Sequence, residues 1–406
     1  MPKQHIPMIN YCLLAWFEGP IFSTLKEEPI QMMILEYEAK HLLASAGISV
    51  PKGVLLRNAN SNSLKRVKTF PVAVKAQVRS GGRGKQGGIV KAVNSASLKS
   101  AVKKLFGTEF NGEKAESLLA DPWLAIDREL YLSVTVDAAA EGYVVMYSPE
   151  GGVDIENGKP PVRYPIGAPW LFRAHKLRAI LSPVEKDFQL REKVIALAQR
   201  LVDIATANDC TTVEINPLAK LKSGELMALD AKIVYDEWAH YRNADIKEQQ
   251  SKNRARADKW LKACLDMQHM YVKLDGDIGL ISGGAGMTMG AMDLIHEFGG
   301  KPACFFDCSP GPTSTRGYKP AFALLDHDPA VKVILVSVFG GGTQMNRVAN
   351  AMKENMAMRK SKKPVIFRLD GTYVDQVPGI FETFGAINHE SLEHAVREAI
   401  KLAKKS

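Results

Sequence analysis

Hydrophobic and polar positions change period along this chain, and the clearest change falls within residues 71–93. Val72, Val74, Ala76 and Val78 alternate with Ala73, Lys75 and Gln77. That is the two-residue period of a strand with one buried face, so Lys75 points away from the valines. Five glycines then fall within residues 81–88, after which Ile89, Val90 and Val93 restore β-branched character. The pattern predicts strand, flexible loop, strand.

Upstream, residues 35–47 read as an amphipathic helix with Leu35, Ala39, Leu42, Leu43 and Ala46 on one side and Gly47 as its stop. Downstream, 95–106 is a helix with Ser95 as N-cap and Gly107 as terminator. Residues 108–123 read as irregular. Residues 129–137 alternate cleanly, turning Leu130, Leu132, Val134 and Val136 inward, and 142–148 supply a partner strand. Loops are expected over 157–183, a helix over 194–207, and a hairpin of 212–218 with 225–232 turning at 222–224. A polar linker with a helix follows. Beyond residues 266–274 apolar strands alternate with helices, the texture of a parallel, doubly wound sheet. Two of its strands end in glycine-rich turns, at 282–286 and 340–342, where such sheets bind ligands. These turns serve close packing equally well. The expected domains are 1–32, an extension of unknown role, then 33–266 and 267–406.

Composition narrows the class. At 406 residues, 46% hydrophobic and 24% charged, the chain suits a soluble globular protein of two or three domains. Its net charge of +9 owes part to Lys401, Lys404 and Lys405, and no nucleic-acid module is visible. Five scattered cysteines without a C-x-x-C pair fit a reducing compartment. The apolar run 11–17 is too short to cross a bilayer. A cytoplasmic protein without membrane or nucleic-acid partners is expected.

Gly82, Gly84 and Gly87 satisfy G-x-G-x-x-G. A dinucleotide fold needs a helix directly behind that motif, and here a strand opens. No Lys-Ser/Thr follows, as a Walker loop requires, and no H-R-D or D-F-G, as a protein kinase requires. The arrangement suits a hairpin folding its N–H groups over a triphosphate, with Lys75 and Arg83 adding positive charge. In the later hairpin, Asn216 and Asp230 stand equally far from Ser223, so an antiparallel ladder sets them opposite each other, with Glu214 and Lys232 on the same face. An amide oxygen facing a carboxylate suits Mg²⁺. Asp230 as a turn cap and Asn216 as a strand end suit the residues too.

In this order the pieces LEYEAK (35–40), VKAQVRSGGRGKQGG (74–88), EGGVDIE (150–156), EINPL (214–218), LDAK (229–232) and VFGG (338–341) resemble the β subunit of succinyl-CoA synthetase and related NDP-forming acid–CoA ligases, from about 33 to 402. The resemblance implies an α/β architecture: an ATP-grasp domain followed by a flavodoxin-like, doubly wound CoA-ligase domain. It implies that Lys75, Gly82, Arg83 and Gly84 hold the phosphates of ATP or GTP, that Asp121, where the family has Glu, and Glu129 line the nucleotide cleft, and that Asn216 and Asp230 bind Mg²⁺. Glu214 then meets a phosphohistidine, and Gly283, Gly341, Gly342 and Thr343 form the loops for the acid or the phosphohistidine, with a helix opening at 341–343 lending its N-terminal charge. The implied partner is an α subunit bringing the histidine and most of the CoA site, in an αβ or α2β2 assembly. The sequence shows no such region, so the chain is expected to be incomplete alone. Gly283, residues 309–312, residues 342–346 and Asp370 depart from the family pattern on the acid side, which suggests a small anionic acid other than succinate. A nucleotide-binding regulator or scaffold without turnover is the competing reading.

Overall fold

The computed structural model describes residues 32–58, 60–152, 158–308, 315–386 and 388–405. The expected N-terminal extension, the end of the EGGVDIE stretch and the altered run 309–312 lie outside them. The described residues form two compact units, 32–250 and 251–405. This division precedes the boundary expected at 266, because the helix Lys259–Asp266 packs on the helix Thr315–His327 of the second unit.

The first unit holds two large antiparallel sheets and a two-stranded ribbon, Glu109–Phe110 with Glu113–Lys114. The larger runs Met32–Met33, Ala231–Tyr235, Cys210–Leu221, Ile126–Asp137, Gly142–Ser148, Val162–Gly167, with Leu226–Ala228 pairing onto Cys210–Leu221. Leu130, Leu132, Val134, Val213 and Ile215 line one face and are fully buried in a core shared with the helices Glu36–Ser45, Ala174–Leu181 and Phe188–Ala207. Alternation therefore puts Glu129, Tyr131, Ser133 and Glu214 on the opposite, polar face. The smaller sheet runs Val54–Leu56, Leu118–Pro122, Val72–Ala76, Ile89–Ala92. Its valines pack on the helix Ser95–Leu105 through Leu98, Val102 and Leu105.

Several local readings need correction. The opening helix buries Glu36, Ala39, Lys40 and Leu43 and leaves Ala46 exposed, so two charged residues outside the expected stripe make up half of its buried positions. Asn94, not Ser95, caps the next helix, its side chain accepting from Ser97 N. Residues 108–123 contain the strand Leu118–Pro122, the middle neighbour of two others, and 157–183 contain the strand Val162–Gly167 and the helix Ala174–Leu181. Each was too short or too mixed to announce itself by period.

The second unit is one sheet, Met270–Lys273, Cys304–Asp307, Ile278–Ser282, Val333–Gly340, Val365–Gly371, parallel except for its antiparallel first strand. The strand order reverses between Ile278–Ser282 and Val333–Gly340, which makes their C-terminal ends the topological switch point. The sheet is covered on both faces. Ile278 lies beside Ile295 and Ile400 from the helices Ala285–Glu297 and Leu392–Ala403, while the other side of the same strand, at Gly279, meets Leu325 and Val331.

Candidate functional site

In the first unit, six charged side chains meet beneath the glycine-rich loop. The helix Glu36–Ser45 presents Glu36 and Lys40, one turn apart, and its start is fastened by Tyr37 N donating to Gln77 Oε1 at 3.0 Å. The strand Val72–Ala76 supplies Lys75, and its neighbour Leu118–Pro122 supplies Asp121. Arg83 comes from the loop, where consecutive turns carry Gly82 and Gly87 at φ of +74° and +76°, conformations that favour glycine. Asp230 comes from the link between the strands Leu226–Ala228 and Ala231–Tyr235.

Glu36 is the hub. Its Oε1 accepts from Lys40 Nζ at 2.6 Å and Lys75 Nζ at 2.9 Å, and its Oε2 accepts from Arg83 Nη2 at 2.5 Å and Gln77 Nε2 at 3.1 Å. Asp121 Oδ2 accepts from Lys40 at 2.5 Å and Lys75 at 3.0 Å. Arg83 also donates to both oxygens of Asp230, at 3.0 and 2.9 Å, and to Ala76 O at 2.9 Å. Lys75 also donates to Leu229 O at 2.6 Å, so three oxygens surround its ammonium group. Three cations thus balance three carboxylates in a buried setting. Burial pushes the Glu36 carboxyl up, but Arg83, Lys75 and Lys40 hold it well below the usual carboxylate range. Burial pulls Lys75 down, and Glu36, Asp121 and Asp230 outweigh it, leaving the ammonium group raised.

The hairpin register matches expectation: Glu214 pairs with Lys232, and Asn216 N donates to Asp230 O at 3.3 Å. The side chains do not stay face to face, however. Asp230 lies outside both flanking strands and turns to Arg83. Asn216 turns to Gly152, accepting from its N at 2.7 Å and donating to its O at 3.3 Å. Glu129 joins Asn216 there. A methyl on Gly152 would lie 2.5 Å from Glu129 Oε2, and the φ of +96° also calls for glycine. Glu214 Oε2 accepts from Tyr131 OH at 3.2 Å on the polar face. Burial and the Glu214 charge raise the Tyr131 phenol, keeping it a donor.

The structure therefore unites Lys75, Arg83, Asp121 and Asp230, and gathers Glu129 with Asn216 around Gly152. Gly82 and Gly84 flank Arg83 in the loop. Sequence reasoning missed Glu36 and Lys40 as members. Their signals were membership of the LEYEAK piece and the i,i+4 Glu–Lys spacing, which on most helices marks an exposed pair. Among the described residues no three His, Cys, Asp or Glu side chains converge to hold a metal unaided.

In the second unit, Gly283 and residues 341–343 follow the two strands at the switch point, where Ser282 pairs with Ser337. Gly284 N donates to Asp307 Oδ1 at 2.7 Å, and the helix Ala285–Glu297 starts directly behind. The helix expected to open at 341–343 begins instead at Met345, with Gln344 as N-cap. The loop between is pinned to Thr372, which accepts from Met345 N at 2.8 Å and donates to Gly341 O at 2.6 Å. Gly341, Gly342 and Thr343 thus precede the helix rather than open it.

Over residues 33–220 the chain matches the family model of the ATP-grasp domain, and over 281–402 that of CoA-ligase. It is 34% identical over 389 residues to the β subunit of ADP-forming succinate–CoA ligase from Pyrobaculum islandicum, covering 92% of this chain and 100% of the relative. It is 35% identical over 384 residues to the subunit of the same description from Desulfurococcus amylolyticus, covering 92% and 99%. Among solved structures, ATP citrate lyase from Methanothrix soehngenii in complex with citrate and coenzyme A aligns at a TM-score of 0.63 and 20% identity, over 91% of this chain and 100% of that one. That likeness is one of fold.

Proposed function

The chain belongs to the family of succinate–CoA ligase β subunits, an ATP-grasp domain followed by a CoA-ligase domain, and from that premise we propose how it works. It serves as the β subunit of an NDP-forming acid–CoA ligase: acid, CoA and NTP give acyl-CoA, NDP and phosphate by way of a phosphohistidine on a partner α subunit. The observation that carries this reading is the set of buried, balanced charges under the glycine-rich loop. A buried ion network adds little stability over apolar packing of the same volume, so one assembled under a glycine-rich loop fits a ligand that draws on its cations.

In this reading Lys75 and Arg83 bind the nucleotide phosphates, backbone N–H groups of Gly82 and Gly84 approach them, and Asp121 and Glu129 lie along the cleft. Asn216 and Asp230 would hold Mg²⁺ once the Asp230 carboxylate leaves Arg83. Both are hard-oxygen donors with lone pairs beyond those already engaged, and phosphate oxygens and water would supply the remaining donors. Bound there, the ion would neutralise phosphate charge. Glu214, on the same polar face, receives the partner's phosphohistidine, and Tyr131 OH fixes its carboxylate. Gly283, Gly341, Gly342 and Thr343 shape the subsite for a small anionic acid, with CoA held mainly by the α subunit in an αβ or α2β2 enzyme. No helix among the described residues is long and apolar enough to cross a membrane, and we place the enzyme in the cytoplasm.

The test is co-purification with the product of its genomic neighbour, followed by phosphohistidine labelling from ATP and from GTP. Label on the partner supports the reading, and no label from either nucleotide defeats it. Succinate should be a poor substrate beside other small carboxylates and sulfonates. Efficient succinyl-CoA formation refutes the altered acid.

A further inference from the structure

We propose that Glu36 is the residue that positions Lys75 and Arg83 for nucleotide phosphates, and that the link Leu229–Asp230 is the clasp they release when nucleotide enters. This rests on the nucleotide-binding reading above. Lys75 donates to Glu36 and to Leu229 O and is paired with Asp121. Both N–H groups on Nη2 of Arg83 are committed, to Glu36 and Asp230. A polyphosphate gains these donors by replacing one acceptor of each cation.

The structure distinguishes the acceptors that stay from those that leave. The Glu36 side chain is 2% exposed, sits on the first turn of a helix, and is braced by Lys40 and Gln77. Asp121 is 3% exposed on an internal strand. The Asp230 side chain is 27% exposed. Leu229 and Asp230 are consecutive and lie outside both flanking strands. They are tied to the neighbouring strand by two backbone bonds, Leu229 N to Pro217 O at 3.1 Å and Asn216 N to Asp230 O at 3.3 Å, so the movement is of the Leu229 carbonyl and the Asp230 side chain. One movement of this link frees a donor on Lys75 and another on Arg83, and it also releases the carboxylate for a cation. Glu36 and Asp121 keep the two cations in place meanwhile. Glu36 is thus a positioning residue, acting through Lys75 and Arg83.

The experiment is a titration of the full-length chain with MgATP, MgGTP and metal-free ATP, reading dissociation constant and number of sites separately. Glu36→Gln should weaken magnesium-nucleotide binding at least tenfold with the number of sites unchanged. A merely structural defect lowers the number of sites and leaves the dissociation constant of the folded fraction alone, and that outcome overturns the proposal, as does unchanged binding. Asp230→Asn should weaken MgATP yet bind metal-free ATP at least as tightly as wild type, because the clasp is loosened. Weaker metal-free binding in this variant overturns the clasp. If the wild-type chain binds no nucleotide at all, the underlying reading fails rather than this inference alone.

Discussion

Gly53 touches the charged cluster from outside, and replacing it gives a sharp test of how that cluster is held. A methyl on Gly53 would lie 2.1 Å from Asp121 Oδ1 and 3.0 Å from Leu119 Cδ1. Oδ1 is buried without a hydrogen-bond partner among the described atoms. It is free to move, but only by swinging Oδ2 away from Lys40 and Lys75, at 2.5 and 3.0 Å. Ordinary contact requires a displacement of more than about 1 Å, enough to open both ion pairs. Removing one partner from a buried pair costs roughly 3–5 kcal/mol. Here the charge stays and relaxes, so Gly53→Ala should cost about 2–4 kcal/mol. For units of this size that lowers the melting temperature by roughly 5–15 °C. The assay is thermal melting followed on the transition that nucleotide also raises, which identifies the first unit. Repeating it in an Asp121→Ala background should remove most of the cost, because the methyl then has no carboxylate to displace. Destabilisation of the same size in both backgrounds refutes the reasoning.

Two further predictions follow from the same contacts and a third from buried thiols elsewhere. Lys40→Met leaves Glu36 and Asp121 short of a cation and should cost roughly 3–5 kcal/mol in denaturant unfolding; a loss below about 1 kcal/mol would show the network closing without it. Because the folded state depresses Glu36, its stabilising contribution is full above the unfolded glutamate value of about 4.3 and is lost as pH falls through the lower folded value. Acid should therefore erode the wild type more steeply than Glu36→Gln below about pH 4.5, and parallel curves would contradict this. Burial raises the thiols of Cys210, Cys264 and Cys304 to about 12, so these three should resist a thiol-specific reagent until the chain unfolds, as mass spectrometry of the labelled peptides would report.

The strands Val72–Ala76 and Ile89–Ala92 were legible in the sequence because alternation of valine with polar residues is a local property of one segment, and glycine marks the turn between them. The register of Glu214 on Lys232 was legible for a similar reason, since equal distance from a tight turn sets pairing without reference to the rest of the molecule. The parallel sheet of the second unit announced itself through apolar strands alternating with helices. What the local pattern could not carry was the destination of charged side chains. On the helix Glu36–Ser45 it pointed to Leu42 and Ala46, yet Glu36 and Lys40 are buried, because Lys75, Arg83 and Asp121 arrive from distant segments to neutralise them. Asp230 was read as the facing partner of Asn216 and is held by Arg83 instead. An ion pair forms wherever opposite charges are excluded from water together, and only the packing of a helix, a small sheet, a loop and a link of the larger sheet brings these six into one enclosure.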